Sequence, residues 1–256
     1  MSGAGRFLEF GVRAPDILES LGFYKLLGFT ELETGDVYDH KYAVVSDGDI
    51  SIGLHDCEMD SPRITFVHPE LAKHARSMSD HGFDFERLVL EEDLFNELEL
   101  KDRDGNAVRM IEARTFFPAV EEEQHSACGE CFEVSLPVRE AVRAARFWAP
   151  IAPNVLELRE EPTTHMRFDA GGMPLGLSES IALEAPSLSF RCADRKGLDA
   201  ILERAGIAID TFPGFEGAFA RIIAPEGTAL YIFDEDFLGE AYEVEEGGDP
   251  ADFPID

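Results

Sequence analysis

The residues with the most chemical reach in this chain are a few thiols and imidazoles. Cys128-Gly-Glu-Cys131 has CxxC spacing, with His125 three residues ahead of it. Two thiolates and an imidazole supply three of the four donors that a tetrahedral zinc takes, so a fourth is needed. His55 and Cys57 could supply one, but nothing in the sequence brings them to the CxxC. A redox CxxC opens a helix, whereas Cys131 leads into the strand-like CFEVSL, so two ordinary thiols are expected. Four cysteines in 256 residues do not make a disulfide scaffold. Of the seven histidines, His68, His74 and His81 flank or lie on an expected helix and should face solvent. His165 lies on a strand and His55 ends one. Each is read as a hydrogen-bonded histidine ahead of a base.

The elements that must position these residues occur twice. Gly48–Leu54 (GDISIGL) returns as Gly171–Leu177 (GGMPLGL), 123 residues on, and Arg63–Gly82 returns as Ser187–Gly206, 124 on. The turn Asp102–Asn106 (DRDGN) returns as Ala224–Thr228 (APEGT), 122 on, and Phe23-Tyr24 returns as Phe147-Trp148, 124 on. A near-constant offset implies two homologous units. The expected division is residues 1–115, a linker over 116–129, a second unit over 130–237 and an acidic tail over 238–256.

Within each unit the pattern runs strand, helix, then strands, twice over. Phe7–Arg13 alternates as a strand, and Asp16 is placed to cap a helix over Ile17–Leu27 with Leu18, Leu21, Phe23 and Leu27 at helical spacing. Asp47-Gly48 turns a hairpin between 41–46 and 49–54. Strand 63–67, helix 69–80, strand 98–101 and strand 107–112 complete the unit. The second copy has strands 131–136, 165–168, 175–177, 187–192, 218–223 and 230–234, with helices 139–148 and 196–205.

Three landmarks in this order resemble the vicinal oxygen chelate superfamily of glyoxalase I, bleomycin-resistance proteins, fosfomycin-resistance enzymes and extradiol dioxygenases. They are Arg13-Ala-Pro-Asp16 closing the first strand, Phe23-Tyr24 ahead of Leu27-Gly28-Phe29, and Asp102-Arg-Asp-Gly-Asn106 before a last strand. The resemblance implies an α+β fold: four βαβββ modules in two tandem domains, forming cup-shaped mixed sheets with helices outside. It also implies a divalent metal on the cup floor, held by His, Gln or Glu from first strands and Glu from a last strand.

At those positions the first copy has Glu9, Arg63 and Arg109, and the second has Cys131, Ser187 and Tyr231. Two guanidiniums repel a cation and satisfy a carboxylate themselves, so neither a metal nor another cofactor is expected. One arginine should pair with Glu9, leaving the other to clamp a ligand carboxylate or phosphate. The alternative is a structural network that replaced a lost metal. By strand alternation Glu9, Gly11 and Arg13 share the cup face of the first copy, and Cys131, Glu133 and Ser135 that of the second. Phe10, Phe66, Phe132, Phe190 and Tyr231 are core or cup lining. The expected ligand-binding residues are Glu9, Arg63, Arg109, Cys131 and Tyr231, with Glu9, Glu133 and His165 as candidate bases.

Two readings follow. One is a metal-free protein binding a small anionic or aromatic molecule in a cup. The other is an enzyme of this superfamily, a lyase, isomerase or ring-cleaving dioxygenase, with a non-standard metal or acid/base site. If one domain works, the charged first one is expected to. The net charge of −30, from 52 acids against 22 bases, repels nucleic acid and anionic membrane, so neither is an expected partner. No apolar run reaches the length of a membrane span and no signal segment leads the chain, so a cytoplasmic monomer or homodimer is expected.

Overall fold

A computed structural model describes residues 3–34, 38–91, 96–113, 125–160, 163–212 and 219–235. The expected acidic tail and most of the linker, with Pro118 and Glu121–Glu123, lie outside them.

The first sheet is built from β1 (Arg6–Arg13), β2 (Thr30–Leu32), β3 (Tyr42–Ser46), β4 (Ser51–His55), β5 (Arg63–Val67), β6 (Arg87–Val89), β7 (Glu97–Lys101) and β8 (Ala107–Ile111). Their spatial order is β2-β3-β4-β1-β5-β8-β7-β6. Helix α1 (Ile17–Leu26) follows β1, and α2 (Leu71–Asp80) follows β5. The second sheet has the order β10-β11-β12-β9-β13-β15-β14. Its strands are β9 (Glu130–Pro137), β10 (Asn154–Arg159), β11 (His165–Ala170), β12 (Met173–Ser178), β13 (Ser187–Cys192), β14 (Phe219–Ile223) and β15 (Ala229–Asp234). Helices α3 (Ala141–Trp148) and α4 (Arg195–Ala205) follow β9 and β13. This is the expected α+β tandem repeat. The edge strands β2, β6 and β10 went unread: β2 and β6 have only three residues each, and one-sided pairing at an edge does not need an apolar alternation.

In each unit the two modules meet at the first strands. β1 runs antiparallel to β5 and parallel to β4, and β9 pairs with β13 and β12 in the same way. Both first strands contain a β-bulge: Phe7 and Glu9 oppose Phe66 and Thr65, so Leu8 is extra, and Cys131 and Glu133 oppose Phe190 and Ser189, so Phe132 is extra. A bulge re-aims the residues around it. Helices cover the other face, over a core that includes Phe10, Phe66, Phe168 and Phe190. Asp16 caps α1 by accepting from the Glu19 amide, but Leu18 is 79% exposed and is not part of the core.

The repeat also explains how the units join. Tyr24 and Ser20 of α1 donate to Glu226, in the turn before β15. Reciprocally, Trp148 of α3 donates from Nε1 to Asp102 at 3.1 Å, and Arg139 pairs with Asp104 at 2.7 Å. The repeated aromatic pairs are therefore mutual anchors, each reaching the turn of the other unit. Tyr24 and Trp148 are fully buried. Burying a large apolar side chain contributes about 1.5–3 kcal/mol.

Candidate functional site

In the first cup Glu9 is 1% exposed, at the centre of a polar cluster. Its neighbour on β4 is Gly53, where a Cβ would stand 2.2 Å from Glu9 Oε2, so only glycine lets the carboxylate lie across that strand. Tyr42 donates to Oε2 at 2.5 Å, and His55 Nε2 stands 3.0 Å from Oε1. Burial pushes the Glu9 carboxyl up, but the hydrogen bonds and charge of His55, the Tyr42 hydroxyl and the charge of Arg63 more than offset this and hold it below the ordinary 4.5. A carboxylate has no proton to give, so His55 is the donor. That leaves His55 Nδ1 facing His40 Nε2, 3.0 Å away.

The arginines are engaged elsewhere. Arg63 donates to Glu99 at 3.0 Å, and Arg109 donates to Glu97 and, at 3.3 Å, to the Tyr38 hydroxyl. Neither makes an ion pair with Glu9, which corrects the expected pairing. The reason is topological: β7 places Glu97 and Glu99 beside β8, and Thr65 rather than Arg63 lies level with Glu9. Thr65 Oγ1 and Arg63 Nε are buried without a protein hydrogen-bond partner.

The second cup repeats the arrangement by another route. Glu133 is 3% exposed, and a Cβ on Gly176 would stand 2.5 Å from its Oε1. His165 Nε2 donates to Oε2 at 3.1 Å, Ser135 donates to Oε1 at 2.5 Å, and Arg167 Nε lies 3.5 Å from Oε2. Burial pushes Glu133 up, but the charge and hydrogen bond of His165, the Ser135 hydroxyl and the charge of Arg167 outweigh it and hold the carboxyl below 4.5. Beside this pair is a cavity of about 190 Å³ walled by Phe132, Phe219, Tyr231 and Phe233, with Glu133 and His165 among its lining.

Several expectations change. The counterpart of Glu9 is Glu133, not Cys131, so the second cup also holds a buried charge. The bulge turns Phe132 into the cavity and leaves Cys131 in the hydrophobic core. Serine 187 likewise gives way to Ser189, which lies level with Glu133 and Tyr231. Tyr231 does line the cavity, and its hydroxyl donates to the Ala182 carbonyl at 2.6 Å. Phe10, Phe66 and Phe190 are core. His68 and His74 are buried and stacked with ring centroids 4.5 Å apart, because His74 lies on the same α2 face as Leu71, Ala75 and Met78. His81 is exposed. Cys128 and Cys131 are buried free thiols whose pKa burial pushes up. Sequence reading missed His40 altogether and did not bring His55 to Glu9. Parity puts Gly53, level with Gly11, on the same face as Glu9, but which residue ends β4 over the cup is set by the strand stagger.

Solved structures match over nearly the whole chain. The 2,3-dioxygenase LapB from Pseudomonas sp. KL28 is 14% identical at a TM-score of 0.63, covering 98% of this chain and 96% of its own. Catechol 2,3-dioxygenase is 12% identical at 0.60, covering 91% and 88%. The Mn(II)-bound glyoxalase from Novosphingobium aromaticivorans is 12% identical at 0.61, covering 92% and 83%. The chain has the vicinal oxygen chelate fold, twice in tandem. No sequence-family model matches it, and a search of curated proteins finds no match.

The metal positions that this vicinal oxygen chelate fold implies do not fit a divalent cation here. At those positions the first unit has one carboxylate, Glu9, with Arg63, Thr65 and Arg109, and Glu99 at the end of the row is paired with Arg63. The second offers Glu133 level with Ser189 and Tyr231, whose hydroxyl is committed to Ala182. One carboxylate at the ligand positions of each unit, already hydrogen-bonded by histidine, is a poor donor set for a metal that takes three protein ligands.

Proposed function

We propose that the chain binds a small single-ring aromatic molecule with a hydrogen-bond donor, such as a phenolic hydroxyl, in the second cup. The observation that carries this reading is the aromatic-walled cavity beside a buried carboxylate. A cavity of about 150 Å³ accommodates a benzene ring, so about 190 Å³ takes a ring with one or two substituents. Phe132, Phe219 and Phe233 supply ring faces and edges. Glu133, held ionised, accepts from a hydroxyl, and Ser135 and Ser189, 2.8 Å apart, can re-aim their protons toward a second oxygen. The arginines of the first cup are occupied by Glu97 and Glu99, which disfavours the anion clamp. Two solved structures of the same fold are named for catechol and homoprotocatechuate, which agrees in ligand class.

A second reading, an enzyme, rests on the Glu133–His165 pair. An imidazole between a buried carboxylate and a bound hydroxyl is placed to relay a proton. Turnover of a phenol that is lost in Glu133→Gln while binding persists would favour it.

Titration calorimetry and thermal shift with phenol, catechol and benzoate test the binding reading. Phenol and catechol should raise Tm, and ligand at 100 times Kd adds about 2.7 kcal/mol. Benzoate should bind less tightly, and Phe132→Ala should weaken phenol binding at least tenfold. If no aromatic binds, or if Phe132→Ala leaves affinity unchanged, the proposal is wrong.

A further inference from the structure

Beside the first cup, at the open end of β4, three donors of metal-ligating type converge without any part in the usual metal row of the fold. The ligating atoms of His40, His55 and Cys57 all lie within 4.8 Å of one another. Among the described residues this is the one such group that has three or more members. We infer that the first unit binds a zinc-class divalent cation through His40 Nε2, His55 Nδ1 and the Cys57 thiolate, with a fourth position open. The inference is independent of what the second cup binds.

Three features carry it beyond proximity. First, the two imidazoles face each other with the correct atoms. His55 Nδ1 and His40 Nε2 are 3.0 Å apart, and two nitrogens on one tetrahedral zinc stand about 3.3 Å apart. Second, each imidazole has a carboxylate behind its far nitrogen: Glu9 on His55 Nε2 at 3.0 Å, and Asp39 near His40 Nδ1 at 3.5 Å. Metal-bound histidine almost always donates its other N–H to such a partner, which fixes the tautomer that aims a lone pair at the cation. Third, the rings are held in place. Tyr38 stacks on His40 at 4.9 Å and packs edge-on against His55, and the His55 side chain is fully buried. Cys57 is partly exposed, just beyond the end of β4, giving a cation a route in from solvent.

The protons balance simply. On binding, Cys57 gives its thiol proton to solvent, and the His40 proton moves from Nε2 to Nδ1 beside Asp39. One proton is released per cation. Nearby Arg63 and Arg109 oppose a second positive charge, but their own glutamates, Glu99 and Glu97, neutralise them. Glu9 and the thiolate together match a divalent ion.

Cobalt(II) is the probe, because a thiolate–cobalt bond gives an intense near-ultraviolet charge-transfer band. The full chain should take up one Co(II), displaced by Zn(II), with that band. Cys57→Ser should abolish the band and weaken binding by more than about 100-fold, beyond the about 10–100-fold expected for losing the carboxylate behind a ligand in Glu9→Gln. His40→Ala, at a partly exposed position, should weaken binding as Cys57→Ser does. X-ray absorption of the zinc form should count one sulfur and two nitrogens, which tests the ligand set without any variant. Absence of tight Co(II) binding, a band that survives in Cys57→Ser, or a zinc shell without sulfur would each overturn the inference. In the first case the His40–His55–Glu9 line is a hydrogen-bond relay only.

Discussion

The two cups solve one structural problem in different ways. Each buries a glutamate of its first strand across a glycine, Glu9 over Gly53 and Glu133 over Gly176, and each donates a histidine to it. The histidines come from opposite members of one cross-strand pair. In the first cup Tyr42 on β3 opposes His55 on β4, and in the second His165 on β11 opposes Ser178 on β12. The imidazole has changed strands while the carboxylate stayed, so the constraint is a satisfied buried charge, not a particular sequence position. The consequences differ. His55 is closed over by Tyr38, Tyr42 and His40, whereas His165 opens onto an aromatic cavity.

The sharpest way to break this comparison is to remove each histidine. His55→Ala strips a fully buried partner from Glu9 and should cost about 3–5 kcal/mol. His165→Ala should cost less, about 1–3 kcal/mol, because its side chain is 11% exposed and Arg167 stays near Glu133. Urea unfolding measures both, and equal losses would show that the cups are energetically equivalent after all. Filling the glycines comes next. Gly53→Ala and Gly176→Ala should each cost about 1–3 kcal/mol, the range for overpacking. Gly53 should cost more, since its clash is closer, 2.2 Å against 2.5 Å. Tm shifts in the opposite order would mean that Glu9 can swing aside.

The smallest effect is a pH asymmetry. His74 is buried against His68 and its pKa is pushed down to about 4 by burial and then by that neighbour's charge. A depressed histidine contributes stability that is complete above its unfolded value of 6.5 and is lost as pH falls toward about 4. Its repeat partner on α4 is Leu198, so the second unit lacks the effect. His74→Leu should therefore flatten the loss of unfolding midpoint between pH 6.5 and 4. Comparison with that variant cancels Asp47, whose buried carboxyl is pushed up to about 6 and acts in the opposite sense. Below pH 4.5 both proteins should still weaken, because Glu9 and Glu133 have folded pKa values below the ordinary one and lose their contribution on protonation. Parallel curves over the upper window would rule out His74.

Residue spacing determined the duplication and most of the order of strands and helices, and the family resemblance marked Glu9, Arg63 and Arg109 as the side chains standing where it implies a metal. Spacing also made Glu9, Glu133 and His165 candidates by strand parity. Parity counts residues along one strand, and a bulge adds one without any mark in the composition. That is why parity put Cys131 in the cup, and why Phe132, named only among residues that could be core or lining, was not assigned to it. Partners across strands depend on stagger between segments far apart in sequence. Only the tertiary structure could bring His55 to Glu9 across 46 residues, give Arg63 and Arg109 to Glu99 and Glu97, and set His40 and Cys57 around one point. Periodicity is written in the chain because each side chain must choose a face. Convergence is not, because it is fixed by how the strands pack once those faces have been chosen.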